Sequence, residues 1–244
     1  MIRIHFTAAD FARVRFAARP APLQELNVAL GMMCRPDQRL LFGRWRQRLL
    51  RSLPAATGAL RELIPGTQAP AFIDSSSDSL AEGWDALRAS RPAFVRAEIA
   101  RVHAGRTAPP PWVRGLHGGD DDAWEVLRRA QYAAFDTVLR PVWPLVQDLH
   151  RAEFTRHALA VAEHGVGAAL TALVPGTRLC GAVWELDGST GRDIELRGRG
   201  VLLLPTFHWS GHPLLSRLPG RPLVVTYPAG PGVPLPRDGA GGAD

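Results

Sequence analysis

The chain has 244 residues, with 29 Lys plus Arg against 23 Asp plus Glu and a formal charge of +6. Every one of the 29 is an arginine. Without lysine there is no Schiff-base amine, no phosphate-loop lysine and no kinase lysine, which removes pyridoxal-phosphate enzymes, lysine aldolases, standard P-loop NTPases and protein kinases.

The opening alternates. Ile2, Ile4 and Phe6 are apolar while Arg3 and His5 are polar, the period of a half-buried strand. Arg3, His5 and Asp10 interrupt any apolar run, so a secretory signal is not expected here. Thr7 and Asp10 have capping-box-like spacing, and Phe11, Val14 and Phe16 continue the apolar pattern. A strand this early must find its partners far along the chain. Pro22–Met33 reads as a helix, with proline suited to the first turn. Residues 39–63 read as one or two amphipathic helices, with Leu40, Leu41, Trp45, Leu49, Leu50 and Leu53 on one face and Pro54 as a break. Residues 80–87 and 93–103 read as helices, and residues 107–111 as a stiff proline connector. Asp120, Asp121 and Asp122 precede a long helix from Ala123 to about Leu139, where carboxylates favour the positive end of the dipole. Pro141 and Pro144 break it. A second long helix runs from about Leu145 to His164, and Gly165 ends or loosens it.

From Arg178 the pattern turns to strands: residues 179–186 and 193–196 around a hairpin loop, then 201–207 and 223–227. These features predict an α+β fold: a central helical region with two long helices, and a small antiparallel or mixed sheet joining the N-terminal strand to the C-terminal strands. Both chain ends contribute strands, so residues 1–227 are expected as one domain and residues 228–244 as a flexible Pro/Gly-rich linker or tail. Cys34 and Cys180 are far apart, which suggests a reducing compartment with both thiols buried. No segment is apolar over the length of a membrane span.

Several segments together resemble a known group. Residues 2–17 and 41–56, then 138–147, 196–209 and 223–230, are similar to the N-terminal domain of actinobacterial ArsR-type (winged helix-turn-helix) transcriptional regulators. The resemblance implies an effector-sensing or dimerisation domain in the cytoplasm, a homodimer, and DNA as partner mainly through a C-terminal winged helix. That winged helix is not among the 244 residues. The resemblance also implies an unknown small-molecule effector, with no cofactor and no membrane. ArsR-type metal sensors use clustered thiols, and this chain has none, so a metal site is not expected.

The residues themselves offer further candidates. Arg44, Arg46, Arg48 and Arg51 surround Trp45 and could contact DNA phosphates directly, or form the solvated face of a helix packed through Trp45, Leu49 and Leu50. Tyr132, Phe135, Trp143, Phe154 and Trp184 could line a ligand pocket between the long helices and the sheet, or belong to an ordinary core. His150, His157 and His164 recur every seven residues. That spacing is about 10.5 Å along a helix, too far for one metal ion to take two of them directly, so they are read as surface or interfacial side chains. His208 and His212 are four apart around a loop-like Trp209-Ser210-Gly211, with no carboxylate close by in sequence. No G-x-S-x-G elbow is present, and no catalytic residue is assigned, so an enzyme is not expected. The reading is a regulator domain that modulates DNA binding. The alternatives are a direct DNA-binding protein acting through residues 44–51, and a small-molecule enzyme with its site between the long helices and the sheet.

Overall fold

A computed structural model describes residues 1–33, 51–66, 68–188 and 191–230. The fold is mixed α+β, and no helix among the described residues is long and apolar enough to cross a membrane. The described residues divide into two compact units: Met1–Pro20 with residues 147–230, and Ala21–Val146. The sequence reading has residues 1–227 as one domain. The closure of the two chain ends is present, but the helices between them bury a core of their own.

The chain starts with β1 (Ile2–His5), a one-turn helix α1 (Ala8–Phe11) and β2 (Val14–Phe16). Thr7 caps α1 in both directions: its hydroxyl accepts from the Asp10 backbone N–H, and the Asp10 carboxylate accepts from the Thr7 backbone N–H.

The helical unit then runs α2 (Pro22–Met33), α3 (Gly58–Leu63), α4 (Leu80–Arg88), α5 (Pro92–His103), α6 (Pro111–Gly118) and α7 (Asp121–Val138). Its core takes Leu23, Leu26, Ala29 and Met33 from α2 and Trp124, Leu127, Ala134 and Phe135 from α7, at the three- and four-residue spacings of one helix face. Trp124 is central: its indole N–H donates to the Leu116 carbonyl at 3.0 Å, and its ring meets Phe72 and Trp84 edge-on. Asp120 caps α7 by accepting from the Asp122 and Ala123 N–H groups. The proline connector expected at residues 107–111 ends inside α6, because Pro111 lies at the start of that helix, where a missing N–H costs nothing.

The other unit contains most of α8 (Trp143–Thr171), then β3 (Arg178–Cys180), β4 (Val183–Leu186), β5 (Arg192–Glu195), β6 (Val201–Thr206), β7 (Leu214–Ser216) and β8 (Leu223–Pro228). Gly165 breaks α8 with φ 81° and ψ 167°, a conformation open essentially to glycine alone. The described strands form two four-stranded sheets, ordered β3-β4-β1-β5 and β2-β6-β8-β7, where the sequence suggests one. Residues 179–186 prove to be two strands joined through Gly181 and Ala182. The expected hairpin between β4 and β5 is not formed: β1 lies between them, antiparallel to β4 and parallel to β5.

Inward residues of both sheets make one core, with Ile2, Ile4, Trp184 and Ile194 from the first and Val201, Leu203, Val225 and Tyr227 from the second. β6 is buried along nearly its whole length, as expected of a strand flanked by parallel neighbours. Its Pro205 is tolerated for a specific reason. The carbonyls of Gly200 and Thr206 bond towards β8 and that of Leu203 bonds Ala17 on the β2 side, so the backbone face of Pro205 points to the β2 side. There the β2 ladder has already ended at Phe16.

Candidate functional site

α8 presents His150, Glu153 and His157 on the face that the three- and four-residue spacing brings together. Contrary to the surface reading, His150 and His157 are fully buried, whereas His164 is exposed. His150 Nε2 lies 2.8 Å from the Ala17 carbonyl just past β2. His157 Nε2 lies 3.0 Å from Glu153 Oε1 and 2.9 Å from Arg156 Nη2. Arg156 also grips both carboxylate oxygens of Glu153, at 3.0 and 2.6 Å. Phe16 stacks on the His157 ring at 4.5 Å, and Tyr227 of β8 meets that ring edge-on at 5.7 Å. Among the described residues, His157 Nδ1 and the Tyr227 hydroxyl are buried without a hydrogen-bond partner.

The electrostatics of this cluster follow from burial and charge. Burial opposes ionisation of Glu153, but hydrogen bonds from His157 and Arg156 outweigh it and hold the carboxyl at about 2. Tyr227 is pushed well above the ordinary phenol range, first by burial and then by the Glu153 charge. At neutral pH the cluster is therefore carboxylate, guanidinium and neutral phenol. A carboxylate this acidic is a poor general base, and a phenol this basic is a poor acid. The chemistry suits a polar clasp that ties α8 to β2 and β8 more than a proton-transfer site.

A second polar anchor lies at the turn before β6. The Asp10 carboxylate, buried, accepts from Thr7 N at 2.8 Å, Thr7 Oγ1 at 2.6 Å and Gly200 N at 2.9 Å. Burial raises its pKa, but these bonds and one from Gly198 win and bring it down to about 2. Arg13 donates to the Gly198 carbonyl. Arg197 in this turn has φ 54°, a left-handed conformation unusual for a side chain with a Cβ, followed by Gly198 at φ 78°.

The residues singled out by sequence are distributed as follows. Phe135 and Trp143 meet edge-on at 5.3 Å in the helical core, and Tyr132 is half-buried beneath Arg128. Trp184 is fully buried in the core of the sheets, and Phe154 is half-buried on α8. Only Phe135 and Trp143 are thus brought into contact with each other. Arg44, Arg46 and Arg48 lie outside the described residues; Arg51 is described and exposed. Cys34 also lies outside them, and Cys180 is exposed rather than buried. His208 is buried and His212 exposed. Among the described residues no group of three or more His, Cys, Asp or Glu could hold a metal ion. Sequence reasoning missed the clasp, although a signal was present: Glu153 and His157 are four residues apart on a helix, a pairing distance. Tyr227 carried no such signal, because its contact depends on how β8 is placed.

No family model, curated protein or solved structure matches this chain.

Proposed function

We propose that this chain is a cytoplasmic effector-sensing or dimerisation domain of an ArsR-type transcriptional regulator. It biases the DNA affinity of a winged helix rather than carrying out turnover. One observation supports this reading above the others. Three of the segments that carry the resemblance, distant in sequence, are bonded to one another in one unit: residues 2–17, 196–209 and 223–230. Ala17 donates to Leu203, Asp10 to Gly200 is a buried carboxylate bond, and Leu203 is in register with Val225. These three segments of the resemblance therefore belong to one packed unit. The clasp adds to it, because its ionisation states suit holding elements together and not general acid–base work. In this role an effector alters DNA affinity only by its differential affinity for the two states of the regulator.

Two measurements on the purified chain test the reading. Sedimentation equilibrium over a wide concentration range is expected to give the dimer mass. A thermal-shift screen of small molecules is expected to give a ligand that raises the melting temperature without being consumed. A monomer at every concentration together with no ligand would overturn the proposal. A ligand that is chemically converted would replace it with an enzyme.

A further inference from the structure

Several arginines among the described residues are neutralised. Arg88, Arg128, Arg140, Arg156 and Arg197 each meet a carboxylate. Arg199, Arg217 and Arg221 share one corner of the fold. All three line one small depression, together with Ile194, Leu196 and Leu218. None of the three meets a carboxylate among the described residues.

The fold fixes this corner. Arg199 lies two residues before the start of β6 and Arg221 two residues before the start of β8, and these two strands are parallel neighbours, with Leu223 N bonded to the Gly200 carbonyl. Arg217 follows the end of β7, which pairs with β8. A turn with Gly220 at φ 72° and a 3.1 Å bond from Arg221 N to the Leu218 carbonyl joins Arg217 to Arg221. The Arg199 guanidinium is oriented by two backbone carbonyls, Leu196 at 2.8 Å and Glu195 at 3.1 Å. Those bonds use Nε and one N–H of Nη2, leaving three N–H groups free to donate. The turn that carries it is the one held by Asp10 and containing the left-handed Arg197. A strained, doubly anchored turn that presents a pre-oriented guanidinium is what a charge-recognition site requires.

We propose that Arg199, Arg217 and Arg221 form a binding site for a phosphate group. A carboxylate is saturated by a single guanidinium fork. A phosphate offers three or four oxygens in a tetrahedral arrangement and can engage several forks at once. A free phosphate and a phosphodiester carry the same tetrahedral group of oxygens, so the source is either inorganic phosphate or a nucleic-acid backbone. This site is independent of the regulator reading, and either can fail without the other.

The test uses the full chain with two probes: inorganic phosphate followed by calorimetry, and fluorescein-labelled single- and double-stranded oligonucleotides followed by anisotropy at low and moderate salt. Two charge-matched variants are compared, Arg217→Glu with Arg221→Glu, and Arg91→Glu with Arg96→Glu, exposed residues just before and within the first turns of α5. The four side chains make no hydrogen bond or ion pair among the described residues, so both variants retain the wild-type circular dichroism spectrum. The expected result is that the Arg217/Arg221 variant loses affinity about tenfold or more, and, for an oligonucleotide, that the salt slope falls by about two. The Arg91/Arg96 variant stays close to wild type. Binding of phosphate alone identifies free phosphate as the source, and oligonucleotide binding lost in the corner variant identifies the nucleic-acid backbone. No binding of either probe by wild type, or an equal loss in both variants, overturns the proposal.

Discussion

Replacing Asp10 by Asn is the sharpest test of how the two ends of the chain are held together. The carboxylate accepts three bonds, from Thr7 N, Thr7 Oγ1 and Gly200 N, in a fully buried position. Asparagine keeps the shape but turns one acceptor oxygen into a donor, so an N–H must face an N–H or the threonine hydroxyl. A carboxyl held at about 2 instead of its ordinary 3.8 contributes about 2 kcal/mol to stability when ionised. Because the folded pKa is the lower one, this contribution is complete above pH about 4 and is lost as pH falls through about 2. Urea titrations of wild type and Asp10→Asn are therefore expected to differ by about 2 kcal/mol at neutral pH, with the gap closing between pH about 4 and 2. Equal midpoints at neutral pH, or a gap that persists unchanged at pH 2, would refute the reasoning, since either means the carboxylate is not what binds α1 to the turn before β6.

Other substitutions probe neighbouring claims. Gly200→Ala places a Cβ 2.5 Å from the Arg13 carbonyl oxygen at a residue with φ 75°, so chemical denaturation should show a loss above about 2 kcal/mol; a loss below half of that would contradict the close approach. Arg197→Gly removes the Cβ from a left-handed position at the expense of an exposed ion pair with Glu195, and the melting temperature is expected to rise by an amount equivalent to up to about 1 kcal/mol. Glu153→Gln deprives Arg156 and His157 of their shared carboxylate and should cost about 2 kcal/mol at neutral pH; the wild-type advantage, complete above pH about 4.5, fades as pH falls towards 2 in the same titrations. Gly165→Ala forces a side chain into the backbone break of α8, so the helix ends should shift in amide exchange and stability should fall by about 1 to 3 kcal/mol, whereas Gly118→Ala, a helical site with open space around it, serves as the neutral control.

What could be read from the residues was local. The alternation of Ile2, Arg3, Ile4 and His5 announced β1 and its need for distant partners, and the burial pattern follows it. Thr7 with Asp10, Pro22, Asp120 and Gly165 marked element ends because each acts through its own backbone neighbourhood. What could not be read was long-range. The insertion of β1 between β4 and β5 depends on pairing energies across about 180 residues, which no local pattern encodes. β2 is only three residues and shows too little alternation to stand out. His150 and His157 read as surface residues by type, and are buried because each ring finds a carbonyl or a carboxylate that the sequence does not place beside it. The arginine corner was hidden for the same reason: Arg199, Arg217 and Arg221 are separated in sequence and meet only because β6 and β8 begin side by side.

The position of β1 also sets an order of events during synthesis. Ile2 pairs with Leu186 and Arg192, and all the residues from Ala21 to Val146 must be made in between. At a ribosomal rate of about 5–20 residues per second, the first strand waits roughly 10 to 35 s for a partner. Its apolar residues stay uncovered throughout that time, and its backbone donors bond only to water. The helices, whose contacts are nearer in sequence, can form meanwhile. Residues 2–6 are thus made well before their partners and are among the last to find their place, and a chaperone that recognises short alternating apolar segments has a long opportunity there.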